Sequence, residues 1–402
     1  MGDPSRVRLT GPLTPFAEGF AAELARQGYT RNSVTDQVRL LAHLSRWLAA
    51  HGLDVSALTP SVMDAFLVAR RSEGYVLWLS RKALAPLVAY LREREALPPA
   101  TQAPLNATEA LLAQYRRYLV SERGLAVSTA ERYVHYVRPF LTTRAGDDGI
   151  ELAGLTPADV SDFIVATCPG RARGSAKLTV VALRSLLRFL HVEGLIATPL
   201  APVVPSVAGW RLAALPRHLE AGEVDRLLAS CDGDTRTGRR DYAILMLLAR
   251  LGLRSGEVCS LSLDDVDWRA GELVVSGKGN RAERLPLPAD VGQAVATYLR
   301  LGRPATAEGR SVFVRVRAPH RALSSVGISQ VVAIAAQRSG LGRLHAHALR
   351  HTLATQMVRA GVPIPDVGQV LRHRRLLTTA IYAKVDREGL RLLARPWPGG
   401  VA

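Results

Sequence analysis

Residues 1–205 read as one helical unit written twice. The first copy runs through the pattern FAEGFAAELARQ, the break Gly28-Tyr29-Thr30, and a helix with Leu40, Leu41, Leu44 and Leu48 at helical spacing. Leu58-Thr59-Pro60 then opens a third helix, and Leu84, Leu87 and Leu91 mark a fourth. The second copy repeats the order: a helix through Tyr118, the break Gly124-Leu125-Ala126, a helix through Tyr133, Val137 and Leu141, the start Leu155-Thr156-Pro157, and a helix through Leu183, Leu186 and Leu190. Paired landmarks lie 96–99 residues apart. Threonine followed by proline suits an N-cap and the first helical position, since proline lacks the amide hydrogen a first turn leaves unused. The pattern predicts two four-helix modules, at 1–103 and 104–205.

Residues 206–217 are expected to link them to a third domain at 218–395, with 396–402 as a tail. That domain reads as mostly helical, with helices over 221–231, 238–251, 290–301, 327–339, 347–360 and 363–371. It contains one hairpin, Glu272–Ser276 and Glu283–Leu287, around Gly277-Lys278-Gly279-Asn280. The predicted fold class is mainly α with a small β-hairpin in the last domain.

Charge narrows the partner. The chain of 402 residues carries a formal net charge of +17. Residues 1–100 and 101–215 hold +3 each and residues 216–402 hold +11. Such a balance points to a polyanion, held most strongly by the C-terminal part. Low aromatic content, 5%, argues against a single-strand binder that stacks bases. No apolar run approaches the roughly 20 residues a membrane span needs, and the three cysteines form neither a disulfide framework nor a zinc-finger spacing. A cytoplasmic protein with no membrane partner and no small-molecule substrate is expected.

The C-terminal region gathers chemistry-bearing residues. Arg254 lies in LGLRSGE, just after the apolar segment DYAILMLLARLGL. Lys278 sits at the glycine-flanked hairpin tip, and it is one of only four lysines among 52 basic residues. In His345-Ala346-His347-Ala348-Leu349-Arg350-His351, positions 347, 350 and 351 share a helix face. Zinc is disfavoured, because Ala348 stands where an HExxH site needs its glutamate. His351 reads as a packing or capping residue. The segment VLRHRRLLTTAIYAKV places His373 nine residues before Tyr382.

One tyrosine, two arginines, two histidines and a lysine, without metal ligands, suit phosphoryl transfer at a phosphodiester. Guanidiniums clamp the non-bridging oxygens and a phenol attacks phosphorus. Lysine is a titratable acid for the leaving oxygen, and histidine moves protons near neutrality. The order Arg254, Lys278, His347-x-x-Arg350, His373, Tyr382 resembles the tyrosine recombinase (phage integrase) family, with 218–395 as its catalytic domain. The module at about 106–200 resembles that family's SAM-like core-binding domain.

The resemblance implies a site-specific recombinase that cleaves and rejoins duplex DNA through a 3′-phosphotyrosyl intermediate, with no cofactor and no metal. It implies Arg254 and Arg350 on the scissile phosphate, Tyr382 as nucleophile, Lys278 as general acid, and His347 and His373 as acid–base and phosphate-contacting groups. Glu257 resembles an acidic support position. A homotetramer on synapsed DNA is implied, with sister recombinases as further partners, and residues 386–394 as an amphipathic helix docking on a neighbour. A mobile element's integration or transposition is the expected role. Dimer resolution, type IB topoisomerase activity and a catalytically silent DNA-binding regulator are the alternatives. Two departures stand out: the extra module at 1–103, and Arg372 where the family has glycine. Glycine suits a left-handed turn, so Arg372 either accepts that geometry or the turn differs, and a contact to DNA phosphate would compensate.

Overall fold

The computed structural model describes residues 3–97, 106–146, 149–208, 217–277, 281–373 and 376–385. The chain divides into two compact units, one comprising Met1–Pro99 with Ala214–Ala402 and the other Ala100–Ala213.

Each copy forms four helices in the expected order. The first copy forms helices Ala17–Arg26, Arg31–Ala50, Pro60–Ser72 and Arg81–Glu93. The second forms Ala107–Ser121, Val127–Thr142, Pro157–Thr167 and Arg173–Val192. Thr59 caps the Val62 amide, and Thr156 makes a reciprocal capping box with Asp159, so both Thr-Pro starts behave as their chemistry dictates. Both breaks carry a left-handed glycine, with φ +84° at Gly28 and +60° at Gly124. Each copy closes its own core: Phe20, Leu41, Leu44, Phe66, Leu84 and Leu91 in the first, and Tyr115, Leu119, Val137, Leu141, Leu183 and Leu190 in the second. The second also has a two-residue hairpin, Ala145–Gly146 with Gly149–Ile150, too short to leave a periodic signal.

Within the first unit, the C-terminal segment packs around helix Arg236–Arg250. Ala243 to Leu248 are all buried, so this stretch of the helix is apolar on every side, while Arg236, Arg239 and Arg240 occupy its first turns. Helices Ala221–Ala229, Ala289–Thr297, Ser325–Arg338 and Ala346–Arg359 surround this core. The expected hairpin is Glu272–Gly277 paired antiparallel with Arg281–Pro286, and Val266–Asp267 adds a short third strand. One six-residue helix, Ser255–Ser260, escapes the periodicity because it is under two turns long. Arg26 of the first module pairs with Glu308 at 2.6 Å. No described helix is long and apolar enough to cross a membrane. The expected amphipathic helix at 386–394 and most of the linker lie outside the described residues.

Candidate active site

The site forms where three short motifs meet at the helix Ala346–Arg359. Arg350 joins them. Its side chain is 1% exposed. Nη1 donates to the Gly252 carbonyl at 2.5 Å, and Nη2 donates to the Leu371 carbonyl. One guanidinium thus ties the LGLRSGE segment to the LRH segment, residues remote in sequence. Gly252 has φ +58°, and a Cβ there would lie 3.0 Å from both Leu353 and Leu371, so glycine is required by backbone and space together.

Arg254 is the N-cap of the short helix, and the Glu257 side chain, three residues on, reaches back to it. The Glu257 carboxylate accepts from the Arg254 amide at 2.8 Å and from Arg254 Nη1 at 2.5 Å. It also accepts from Arg372 Nη2 at 2.8 Å. Burial opposes ionisation of Glu257, but the Arg254 amide and the Arg372 and Arg254 guanidiniums outweigh it and hold the carboxyl below its ordinary range.

Tyr382 lies in the 3-10 turn Ala380–Val385, packed with Ala354, Val358, Val367 and Leu371, and is 1% exposed. Its hydroxyl lies 2.7 Å from His351 Nδ1. Burial lifts the phenol to about 12, against the pull of the Arg350 charge. The His373 ring runs parallel to the Tyr382 ring at 6.5 Å, and its Nδ1 hydrogen-bonds Thr379 at 2.8 Å. His347 and His351 meet edge to face at 4.4 Å.

All three imidazoles are neutral at pH 7. Burial, then His347 and Arg350, drives His351 down to about 4. Burial, then Arg350 and Arg254, drives His373 down to about 4. His347 is lowered by burial and by the same two arginines. Burial and the neighbouring Arg254 and Arg372 charges lower Arg350 to about 10, and it stays cationic. A neutral imidazole beside a phenol accepts a hydrogen bond from it, and fixed guanidiniums stabilise an anion nearby. Among the described residues, no group of three or more His, Cys, Asp or Glu is placed to hold a metal ion.

Arg254, His347, Arg350, His373 and Tyr382 therefore share one site. Lys278, the sixth predicted residue, lies outside the described residues. The hairpin's return strand reaches the site, since Glu283 stands 3.7 Å from Arg372 Nε. Two residues gained a place that their sequence context had not assigned. His351 is not merely packing, because it contacts the Tyr382 hydroxyl; its position one turn after His347 was the available signal. Arg372 does adopt the left-handed conformation, with φ +54°, and its guanidinium is directed to Glu257.

Known proteins resemble this chain along most of its length. The sequence profile of the Phage integrase family matches residues 217–388, and that of the Phage integrase, N-terminal SAM-like domain matches 112–194. The provisionally named integrase/recombinase y4rA of Sinorhizobium fredii is 41% identical over 394 residues, covering 97% of this chain and 95% of that one. The chain is a tyrosine recombinase of the phage integrase family. Tyrosine recombinase XerD of Mycobacterium leprae is 32% identical over 71% of this recombinase and 95% of its own length. The XerH site-specific recombinase bound to its difH substrate shares the fold, with a TM-score of 0.53 and 18% identity over 84% of this chain and 95% of that one. A lambda integrase tetramer bound to a Holliday junction gives 0.52 and 18% over 79% and 88%. The SAM-like profile falls on the second of the two helical modules.

Proposed function

We propose that this protein is a site-specific DNA recombinase in which Tyr382 is the nucleophile. The observation that carries the reading is the Tyr382 hydroxyl at 2.7 Å from a neutral imidazole, in the same site as two arginines. Tyr382 Oη attacks the scissile phosphorus and the bond to the 5′ oxygen breaks. His351, in reach of the hydroxyl, takes the phenolic proton, and Lys278 delivers one to the departing oxygen. Arg254 and Arg350 hold the non-bridging oxygens, while His347 and His373 contact the phosphate. The 5′ hydroxyl of a partner strand then attacks the 3′-phosphotyrosyl ester and releases Tyr382. Ester energy is kept throughout, so no external energy source enters.

Tyr382 and Arg350 are both almost fully buried here. The structure is therefore a closed state, and engagement of DNA has to expose the turn Ala380–Val385 and redirect Arg350 from its two carbonyls. Duplex DNA is the partner that fits the +17 charge, and XerH bound to difH and the lambda integrase tetramer on a junction support a DNA-bound tetramer. The mobile-element role is favoured over dimer resolution because the integrase/recombinase relative matches 97% of the chain, whereas the XerD relative matches 71%.

The test is a duplex selected with the purified full chain from a random library, then nicked beside the cleavage point to trap the intermediate. Wild type should form a covalent adduct and Tyr382→Phe none. Equal trapping by both proteins, or an adduct mapped to another residue, overturns the assignment.

A further inference from the structure

Arg372 occupies a position where its residue type is doubly unfavourable. Its φ of +54° lies in the left-handed region that glycine enters freely and other residues enter at a cost. Its guanidinium, 7% exposed, is a buried charge. Nη1 is buried and has no hydrogen-bond partner among the described residues. A turn that had only to change direction would be better served by glycine. The side chain must therefore return something, and its contacts show where.

Glu257 is one anion shared by two cations. Oε2 accepts from Arg372 Nη2 and from the Arg254 amide, both at 2.8 Å, while Oε1 accepts from Arg254 Nη1 at 2.5 Å. Arg254 itself is 41% exposed, so its own surroundings do little to restrain its long side chain. Glu257 supplies that restraint, and Arg372 in turn fixes Glu257. The Arg372 charge is also felt at Arg350, which places a third guanidinium in the field of the same site.

We propose that Arg372 is a positioning residue for Arg254: through Glu257 it holds that guanidinium in the orientation that meets the scissile phosphate, and it adds positive charge behind it. This rests on the assignment of Arg254 to the phosphate.

The test uses the full chain and the nicked duplex described above, in single-turnover cleavage at saturating DNA. Arg372→Gly removes the guanidinium while suiting the backbone, and it should slow cleavage by about 10- to 100-fold, the range of a charge-assisted hydrogen bond. Arg372→Lys, which keeps the charge and can still donate to Glu257 but lacks the planar fork, should recover part of that loss. On a duplex whose scissile phosphate is a neutral methylphosphonate, the Arg372→Gly deficit should shrink, because there is less negative charge for Arg254 to meet. A merely structural role would slow both substrates alike and gain nothing from lysine, and that result overturns the proposal. Wild-type rates for Arg372→Gly on the phosphate duplex also overturn it. Tyr382→Phe, run in parallel, separates the levels: if it still forms adduct, the site assignment itself fails, whereas a silent Tyr382→Phe beside a fully active Arg372→Gly removes only the role of Arg372.

Discussion

Replacing Glu257 by glutamine should destabilise the first unit by about 3 kcal/mol, and the figure follows from who loses a partner. The carboxylate is 4% exposed and accepts three hydrogen bonds. Glutamine keeps one accepting oxygen and turns the other into a donor facing a donor. Arg254 rehydrates at little cost, because it is substantially exposed. Arg372 does not, and its next carboxylate, Glu283, is 3.7 Å away. Removing one member of a buried pair costs about 3–5 kcal/mol, and the residual pull of Glu283 places this case at the lower end. Urea unfolding of the full chain measures it as a fall of roughly 1 M or more in midpoint at an m-value of about 1–3 kcal/mol/M. The double variant E257Q/R372G should regain most of the loss, a coupling of about 2 kcal/mol, because no stranded cation remains. The pH dependence has a definite sign. A carboxyl held below its ordinary value contributes fully above the unfolded pKa of about 4.3 and loses that contribution as pH falls through the folded value, so the Glu257→Gln penalty should shrink on acidification below about 4. A cost under about 1 kcal/mol, or additive single and double variants, refutes the reasoning.

Three further outcomes are expected. Lys278→Ala should slow cleavage sharply, and a duplex with sulfur in place of the bridging 5′ oxygen should restore the rate, since a thiolate leaves without a proton; absence of rescue removes lysine from the acid role. Gly252→Ala combines a left-handed backbone with 3.0 Å approaches to Leu353 and Leu371, and should cost about 1–3 kcal/mol, seen as a Tm drop of several degrees, and impair cleavage through the Arg350 carbonyl anchor. His351 and His373, both held near 4 against an ordinary value of about 6.5, are neutral when folded but protonate when unfolded. Their contribution is complete above about pH 6.5 and falls away towards pH 4, so the Tm should drop between pH 7 and pH 5, and less so in His351→Asn; a flat Tm across that window would contradict the burial of these rings.

The helical modules were legible because each helix carries its own signal. Leucines at helical spacing, Thr-Pro starts and glycine breaks are local, and local chemistry decides where a helix begins and ends. The third strand Val266–Asp267 and the helix Ser255–Ser260 were not, since two and six residues are too few to show a period. The six candidate site residues were legible as types in an order, and five of them share one site. The roles of His351 and Arg372 were not. A histidine on the inner face of a helix reads the same whether it meets a leucine or a phenol, and an arginine in a turn reads as exposed until its partner is known.

By itself the sequence determined the repeat, the helical class, the basic balance and which residues were available for phosphodiester chemistry. Each of these depends on residues near one another in the chain, or on their sum. Only the tertiary structure decided that Glu257 joins Arg254 to Arg372, that Arg350 spans from Gly252 to Leu371, and that Tyr382 is buried against His351. Those contacts bridge separations of up to 115 residues, and burial sets their strength by removing the water that would otherwise screen each charge and compete for each hydrogen bond.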